Sequence, residues 1–154
     1  MKMKMLLLVC CALMCLPSWL VAAPMVVDAD HFELVQDKQR AVFTGHVVAT
    51  QGELIIKADK MTLWYVKNAS TGKSKLNKAK AVGHVWIKTA ENIGSADIAT
   101  FAADSKILVL KGNARMQSED GEVLGQHIEY NMQSKDSTVL KGLSEEQVRF
   151  TFDE

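Results

Sequence analysis

Glycine and aspartate alternate along this chain at nearly constant intervals, and that spacing constrains the fold more than any other feature. Asp30 is followed by Gly45, Asp59 by Gly83, Asp97 by Gly112, and His127, in the Asp position, by Gly142. Successive markers lie 15, 14, 24, 14, 15, 15 and 15 residues apart, and the long step carries an insertion from Lys67 to Lys78. A period of about 30 residues split into two halves predicts stacked supersecondary units whose core exists only when neighbours stack.

The half-repeats are too short for a helix hairpin, and their apolar residues alternate. Leu54, Ile56 and Ala58 share one parity; Met61, Leu63 and Tyr65 follow after a one-residue shift. Ile128, Tyr130 and Met132 alternate strictly, as do Val148, Phe150 and Phe152. Such alternation predicts strands with one apolar face. The shift at Ala58-Asp59-Lys60 predicts a bulge or corner where the faces exchange. The expectation is β throughout, in about 14 to 16 short strands. Hairpins are predicted around Gln51-Gly52, between Thr89 and Ile93, and around Ser118 to Gly121, with a mobile polar loop at Asn68 to Lys75.

The N-terminus reads as a targeting segment. Lys2 and Lys4 precede an uncharged run from Leu6 to Ala23, with small residues at Val21-Ala22-Ala23, the layout of a secretory signal. Residues 1–23 are therefore predicted to be a signal peptide and 24–154 one domain. Pro24 is a poor residue after a cut, and Leu6 to Val27 is long enough for an uncleaved anchor at about 20 residues. Pro17 and Pro24 disfavour a continuous helix there. Cys10, Cys11 and Cys15 all lie inside the segment, so an exported chain would carry no disulfide and no thiolate. Removing Lys2 and Lys4 takes the basic residues from 18 to 16 against 18 acidic ones. That charge balance gives no footprint for nucleic acid.

Motifs for catalysis are scarce. His31, His46, His84 and His127 occur singly, without ligand-pair spacing. His46 and His84 share a repeat position, which points to structure. Asp28 and Asp30 fall on one face of a strand and could serve acid-base work or Ca²⁺, but Asp30 belongs to the repeat, which points to corner hydrogen bonding. No nucleophile elbow, phosphate loop or dinucleotide fingerprint occurs. The chain reads as no enzyme and calls for no cofactor and no metal. Its positive signal is apolar: the alternating aliphatic, Met and aromatic residues either fill a core or line an open slot between diverging sheets.

Two stretches carry a resemblance. Ala41-Val42-Phe43-Thr44-Gly45-His46-Val47, followed by Gln51-Gly52-Glu53-Leu54-Ile55-Ile56-Lys57-Ala58-Asp59-Lys60-Met61, is similar to the LptA/OstA-like family. Leu108-Val109-Leu110-Lys111-Gly112-Asn113-Ala114 and Gly125-Gln126-His127-Ile128-Glu129-Tyr130 resemble its second signature, and the likeness spans nearly all of residues 25–152. The chain departs from the family's pattern at His46, where Asn is usual, and at His127, where Asp is usual.

The resemblance implies an all-β jellyroll of two facing antiparallel sheets, opened slightly like a V. It implies a periplasmic carrier of lipopolysaccharide between the inner and outer membranes, with lipid A acyl chains between the sheets. The implied partners are lipopolysaccharide, an inner-membrane LptC-like protein, the N-terminal domain of an outer-membrane LptD-like translocon, and further copies joined end to end. Position and parity then make Met25, Val27, Leu54, Ile56, Met61, Leu63, Trp86, Phe101 and Met116 the candidate lining, and Val148, Phe150 and Phe152 the docking edge. Lys73, Lys75 and Lys78 either meet lipid phosphates or solvate a loop.

Three other readings stand beside this one. A membrane-anchored or adaptor sibling, LptC-like, would mainly dock partners. A free-standing copy of the translocon's N-terminal domain is another. A cupin-like enzyme is the most distant.

Overall fold

The computed structural model describes residues 23–140 and 148–152. The predicted signal segment up to residue 22, its cysteines, Gly142 and the turn expected at Leu143 to Gln147 lie outside the described residues. The strands are β1 (Val26–Asp28), β2 (His31–Val35), β3 (Arg40–Gln51), β4 (Leu54–Lys67), β5 (Ser74–Lys88), β6 (Ile93–Ala102), β7 (Ile107–Ser118), β8 (Gly121–Asn131), β9 (Ser137–Leu140) and β10 (Arg149–Phe152). One 3-10 turn, Gln36–Lys38, joins β2 to β3.

All ten strands form one antiparallel sheet, in the order β1-β3-β4-β5-β6-β7-β8-β10, with β2 also on β3 and β9 also on β8. Two strands share one neighbour at each end because β3 and β8 are long. On β3, Val48 to Thr50 pair with β1, and Arg40 to Thr44 pair with β2. On β8, Gly121 to Leu124 pair with β10, and His127 to Tyr130 pair with β9.

The Asp–Gly repeat is the line along which this sheet folds. The register breaks between Thr44 and Val47, Lys57 and Lys60, Val82 and Val85, Ser95 and Ile98, and Lys111 and Ala114. In β3, β5 and β7 the break is a pair of left-handed residues: Gly45 with His46, Gly83 with His84, and Gly112 with Asn113. Glycine takes that conformation without a Cβ penalty, and His and Asn are among the side chains that tolerate it. In β4 the corner turns two successive residues outward, Asp59 and Lys60, between buried Ala58 and Met61. This is the parity shift that the sequence predicts. β6 repeats it, with Asp97 exposed between Ala96 and Ala99.

The crease divides the sheet into two facing layers. The first holds β1, β10 and the segments of β3 to β8 paired with them, such as Val47 to Gln51 and Leu54 to Ala58. The second holds β2, β9 and the remaining segments. Inward residues of both layers make one hydrophobic cluster, with Leu110 and Ile128 at 0 % exposure. The layers meet directly: a Cβ on Gly94 of the first layer would lie 3.2 Å from Leu110 Cδ1 of the second. Small residues (Val47, Ala58, Val85, Ala96, Ala114) line the first layer beside the crease, whereas Met61, Leu110 and Ile128 hold the crease side of the second.

The all-β, two-layered antiparallel expectation therefore holds, with one refinement. The facing sheets are halves of one continuous, unclosed sheet. The expected 14 to 16 short strands are ten among the described residues, because β3 to β8 each run on through the crease as one bent strand. The predicted polar loop also shortens. Asn68 Oδ1 accepts hydrogen bonds from the Ser70 and Thr71 amides, and β5 begins at Ser74.

Candidate functional site

Between the layers runs an apolar interior that opens at the N-terminal end of the sheet. A cavity of about 360 Å³ lies there, lined by Met25, Val27 and Gln51 from the first layer and by Phe43, Leu63, Tyr65 and Leu76 from the second. Gln51 Nε2 donates to the Ala23 carbonyl at 3.0 Å, which ties the incoming chain beside the opening. Burial pushes the Tyr65 phenol up from its ordinary value, so it stays neutral. The site is concave, mostly apolar and uncharged, suited to hydrocarbon rather than to polar chemistry.

Of the predicted lining residues, Met25, Val27, Leu54, Ile56, Met61, Leu63, Phe101 and Met116 lie on the inner faces, in or against the hydrophobic cluster. Trp86 does not. Its neighbours Val85 and Ile87 are buried, so strand alternation turns Trp86 to the outer surface of the first layer. There the Lys57 ammonium stands 5.2 Å from the ring centroid. Phe43, Tyr65 and Leu76 were not among the predicted lining. Phe43 and Tyr65 share the inward parity of Ala41 and Leu63 on their strands. Leu76 is hidden in the sequence, because the ladder slips a residue between Trp64–Lys78 and Tyr65–Leu76.

The C-terminal end of the interior is bridged by polar groups. Asn92 Nδ2 donates to the Tyr130 hydroxyl at 3.2 Å. Lys135, after β8, pairs with Glu91, after β5, from one layer to the other. A 460 Å³ cavity lies around them, lined in part by Met116, Val123 and Phe150.

Both ends of the sheet expose strand edges. Among the described residues, β1 and β2 at one end and β9 and β10 at the other have a strand partner on one side only. β10 carries Phe150 and Phe152 at 47 % and 74 % exposure, their rings edge to face at 4.4 Å, with Val148 exposed just before them. At the opposite end Phe32 and Leu34 of β2 are exposed, and the Phe32 ring lies 5.0 Å from that of Phe43.

Along the crease, each Asp reaches the left-handed corner of a neighbouring strand. Asp30 Oδ2 is 2.7 Å from His46 Nδ1, Asp59 Oδ2 is 2.8 Å from His84 Nδ1, and Asn113 Nδ2 donates to Asp97 Oδ2 at 3.0 Å. These hydrogen bonds, then the carboxylate charges, raise both His46 and His84 above the ordinary histidine value. His127 takes the fourth Asp position, and its buried Nε2 has no partner among the described residues. Among the described residues no three His, Asp or Glu side chains gather as a metal set. Asp30, His46 and His84 thus sit at the corners, held there by these hydrogen bonds.

The fold and its interior define the chain as an unclosed two-layer antiparallel β-protein built around an apolar slot. A family model described as "LptA/(LptD N-terminal domain) LPS transport protein" matches residues 26–136, and the chain belongs to that family. The family is one of transport proteins, not of enzymes. Among curated relatives, the lipopolysaccharide export system protein LptA of Haemophilus influenzae is 26 % identical over 119 residues, 75 % of this chain and 69 % of that protein. An uncharacterised protein of Rhizobium meliloti is 22 % identical over 103 residues; the match covers 65 % of this chain and 55 % of that relative's length. The crystal structure of LptH, the LptA-homologous periplasmic component of the lipopolysaccharide transport device of Pseudomonas aeruginosa, superposes with a TM-score of 0.75 at 19 % identity, covering 86 % of this chain and 96 % of that one.

Proposed function

We propose that this chain is a periplasmic carrier of lipopolysaccharide that holds lipid A acyl chains in the slot between its layers and passes them along an end-to-end assembly. The observation that carries this reading is the cavity at the N-terminal end, where Met25 and Val27 face Leu63, Tyr65 and Leu76 across an apolar gap. Each acyl CH₂ withdrawn from water there contributes about 0.8 kcal/mol. The exposed edges at both ends are templates for strand addition, which joins slots without side-chain chemistry. Val148, Phe150 and Phe152 form the docking edge at one end. An LptC-like protein and the N-terminal domain of an LptD-like translocon, built on the same edges, would occupy the two ends of the row.

Residues 1–23 act in this reading as a signal peptide, leaving residues 24–154 as the working domain. Mass spectrometry of the protein recovered from the periplasm tests both halves of the proposal. The expected product begins after Ala23 and carries lipopolysaccharide. A chain that keeps residues 1–23 and stays with the inner membrane would favour the anchored adaptor instead.

A further inference from the structure

The second layer, which lines one side of the N-terminal cavity, is cationic on its other face around β4. Leu63 and Tyr65 of β4 point into the cavity, and Trp64 between them points out from the second layer. Its register partners are Arg40 on β3 and Lys78 on β5. The Lys78 ammonium stands 5.5 Å from the Trp64 ring centroid, and Lys80 is the next residue on the same face of β5. Arg40, Lys78 and Lys80 have no carboxylate partner among the described residues. Arg40 Nε is buried without a hydrogen-bond partner among them. The strand acids on this face are Glu33 of β2 and Glu129 of β8, beside Val42 and Val109, with Asp59 and Asp97 at the crease hydrogen-bonded to His84 and Asn113, against the cations Arg40, Lys60, Lys78, Lys80 and Lys111.

This cluster lies at the end of β4 and β5 away from the crease, near the rim of the slot. An amphiphile whose chains fill the cavity can place its head over that rim, since successive residues of β4 put the cavity and this cluster on the two faces of one sheet layer. We infer that Arg40, Lys78 and Lys80 around Trp64 form a seat for the phosphate-bearing saccharide headgroup of the lipid held in the slot. The guanidinium offers paired donors to phosphate, the two ammonium groups add charge, and the indole face supplies an apolar platform for a sugar ring. The inference rests on the carrier reading above. It assigns the headgroup a place on the protein rather than leaving it in solvent.

The test compares the full chain with an Arg40→Gln/Lys78→Gln/Lys80→Gln variant whose circular dichroism matches the parent. Three ligands are titrated: phosphorylated lipopolysaccharide, the same lipid with its phosphates removed, and the acyl-free phosphorylated oligosaccharide. Trp64 fluorescence in a Trp19→Phe/Trp86→Phe background, where Trp64 is the one indole left, reports on the seat. The expected result is a loss of about tenfold in affinity for the phosphorylated lipid, as for three charge contacts at a surface, with the dephosphorylated lipid unchanged. Trp64 emission should respond only to the phosphorylated lipid. Equal binding of both lipids by parent and variant would overturn this inference while leaving the slot intact. Binding of neither lipid by the parent would overturn the carrier reading itself. Free oligosaccharide binding as tightly as the lipid would overturn the link between seat and slot.

Discussion

Asp59 sits against Gly83 so closely that a Cβ there would lie 2.9 Å from its carboxyl carbon and nearer still to Oδ2. Asp30 under Gly45 and Asp97 under Gly112 repeat the arrangement. The glycine thus has two reasons to be glycine at each corner: a left-handed backbone and no room for a methyl group.

Gly83→Ala separates from a control on this basis. Gly72 is also left-handed, but a Cβ there would meet nothing within 4 Å. Gly72→Ala should cost only the conformational penalty, about 1 kcal/mol. Gly83→Ala should cost roughly 2–4 kcal/mol, because steric displacement of Asp59 adds to it. Urea unfolding midpoints measure both; equal losses would deny the corner its role.

The corner histidines make stability depend on pH. His46 and His84 are raised above the ordinary value of about 6.5 by hydrogen bonds to Asp30 and Asp59. A raised folded-state value means that the stabilisation is fully present below the unfolded value and fades as pH rises through the folded one. Asn113 fills the same corner without titrating. A His46→Asn/His84→Asn variant should therefore keep its hydrogen bonds and lose the decline in melting temperature as pH rises from the ordinary histidine value through the raised one. A decline as steep as the parent's would show that other groups cause it.

Core and outer face should respond differently to truncation. Leu110 is fully buried and packs where the layers meet, so Leu110→Ala should cost about 2–5 kcal/mol. Trp86→Ala on the outer face loses chiefly its contact with Lys57, worth about 1 kcal/mol. Denaturant titration of the two variants checks the ranking.

How much of this was readable beforehand follows from what each signal depends on. The crease was visible because its chemistry is local: Gly, Asp and a parity shift at Ala58-Asp59-Lys60 fix a corner wherever they occur. Eight of the nine predicted lining residues fall on the inner face because alternation carries through each strand once the shift is placed. Position and parity put Trp86 in the predicted lining, but Val85 and Ile87 on either side of it are the buried residues, so Trp86 points outward. Leu76 was not readable, since the slip beside it belongs to the pairing of two strands and to neither alone. The folding of one sheet into two layers was likewise hidden, because half-strands and bent strands share the same local pattern.

The exposed edge offers a prediction about assembly. Phe152 is the most exposed large hydrophobic residue among those described, at the end of β10. Phe152→Glu should weaken end-to-end association tenfold or more, about 1.4 kcal/mol, while leaving the unfolding midpoint unchanged. Sedimentation velocity across a concentration series measures the shift. Association equal to the parent's would place the contact elsewhere.

The central claim is that lipid occupies the slot between the layers. Site-specific photo-crosslinking in the periplasm tests it most directly, with the probe at Tyr65, which lines the N-terminal cavity, and in a second protein at Trp86, on the outer face of the first layer. The account predicts lipopolysaccharide adducts at Tyr65 and none at Trp86. Adducts at Trp86 alone, or at neither position in a folded and exported protein, would contradict it.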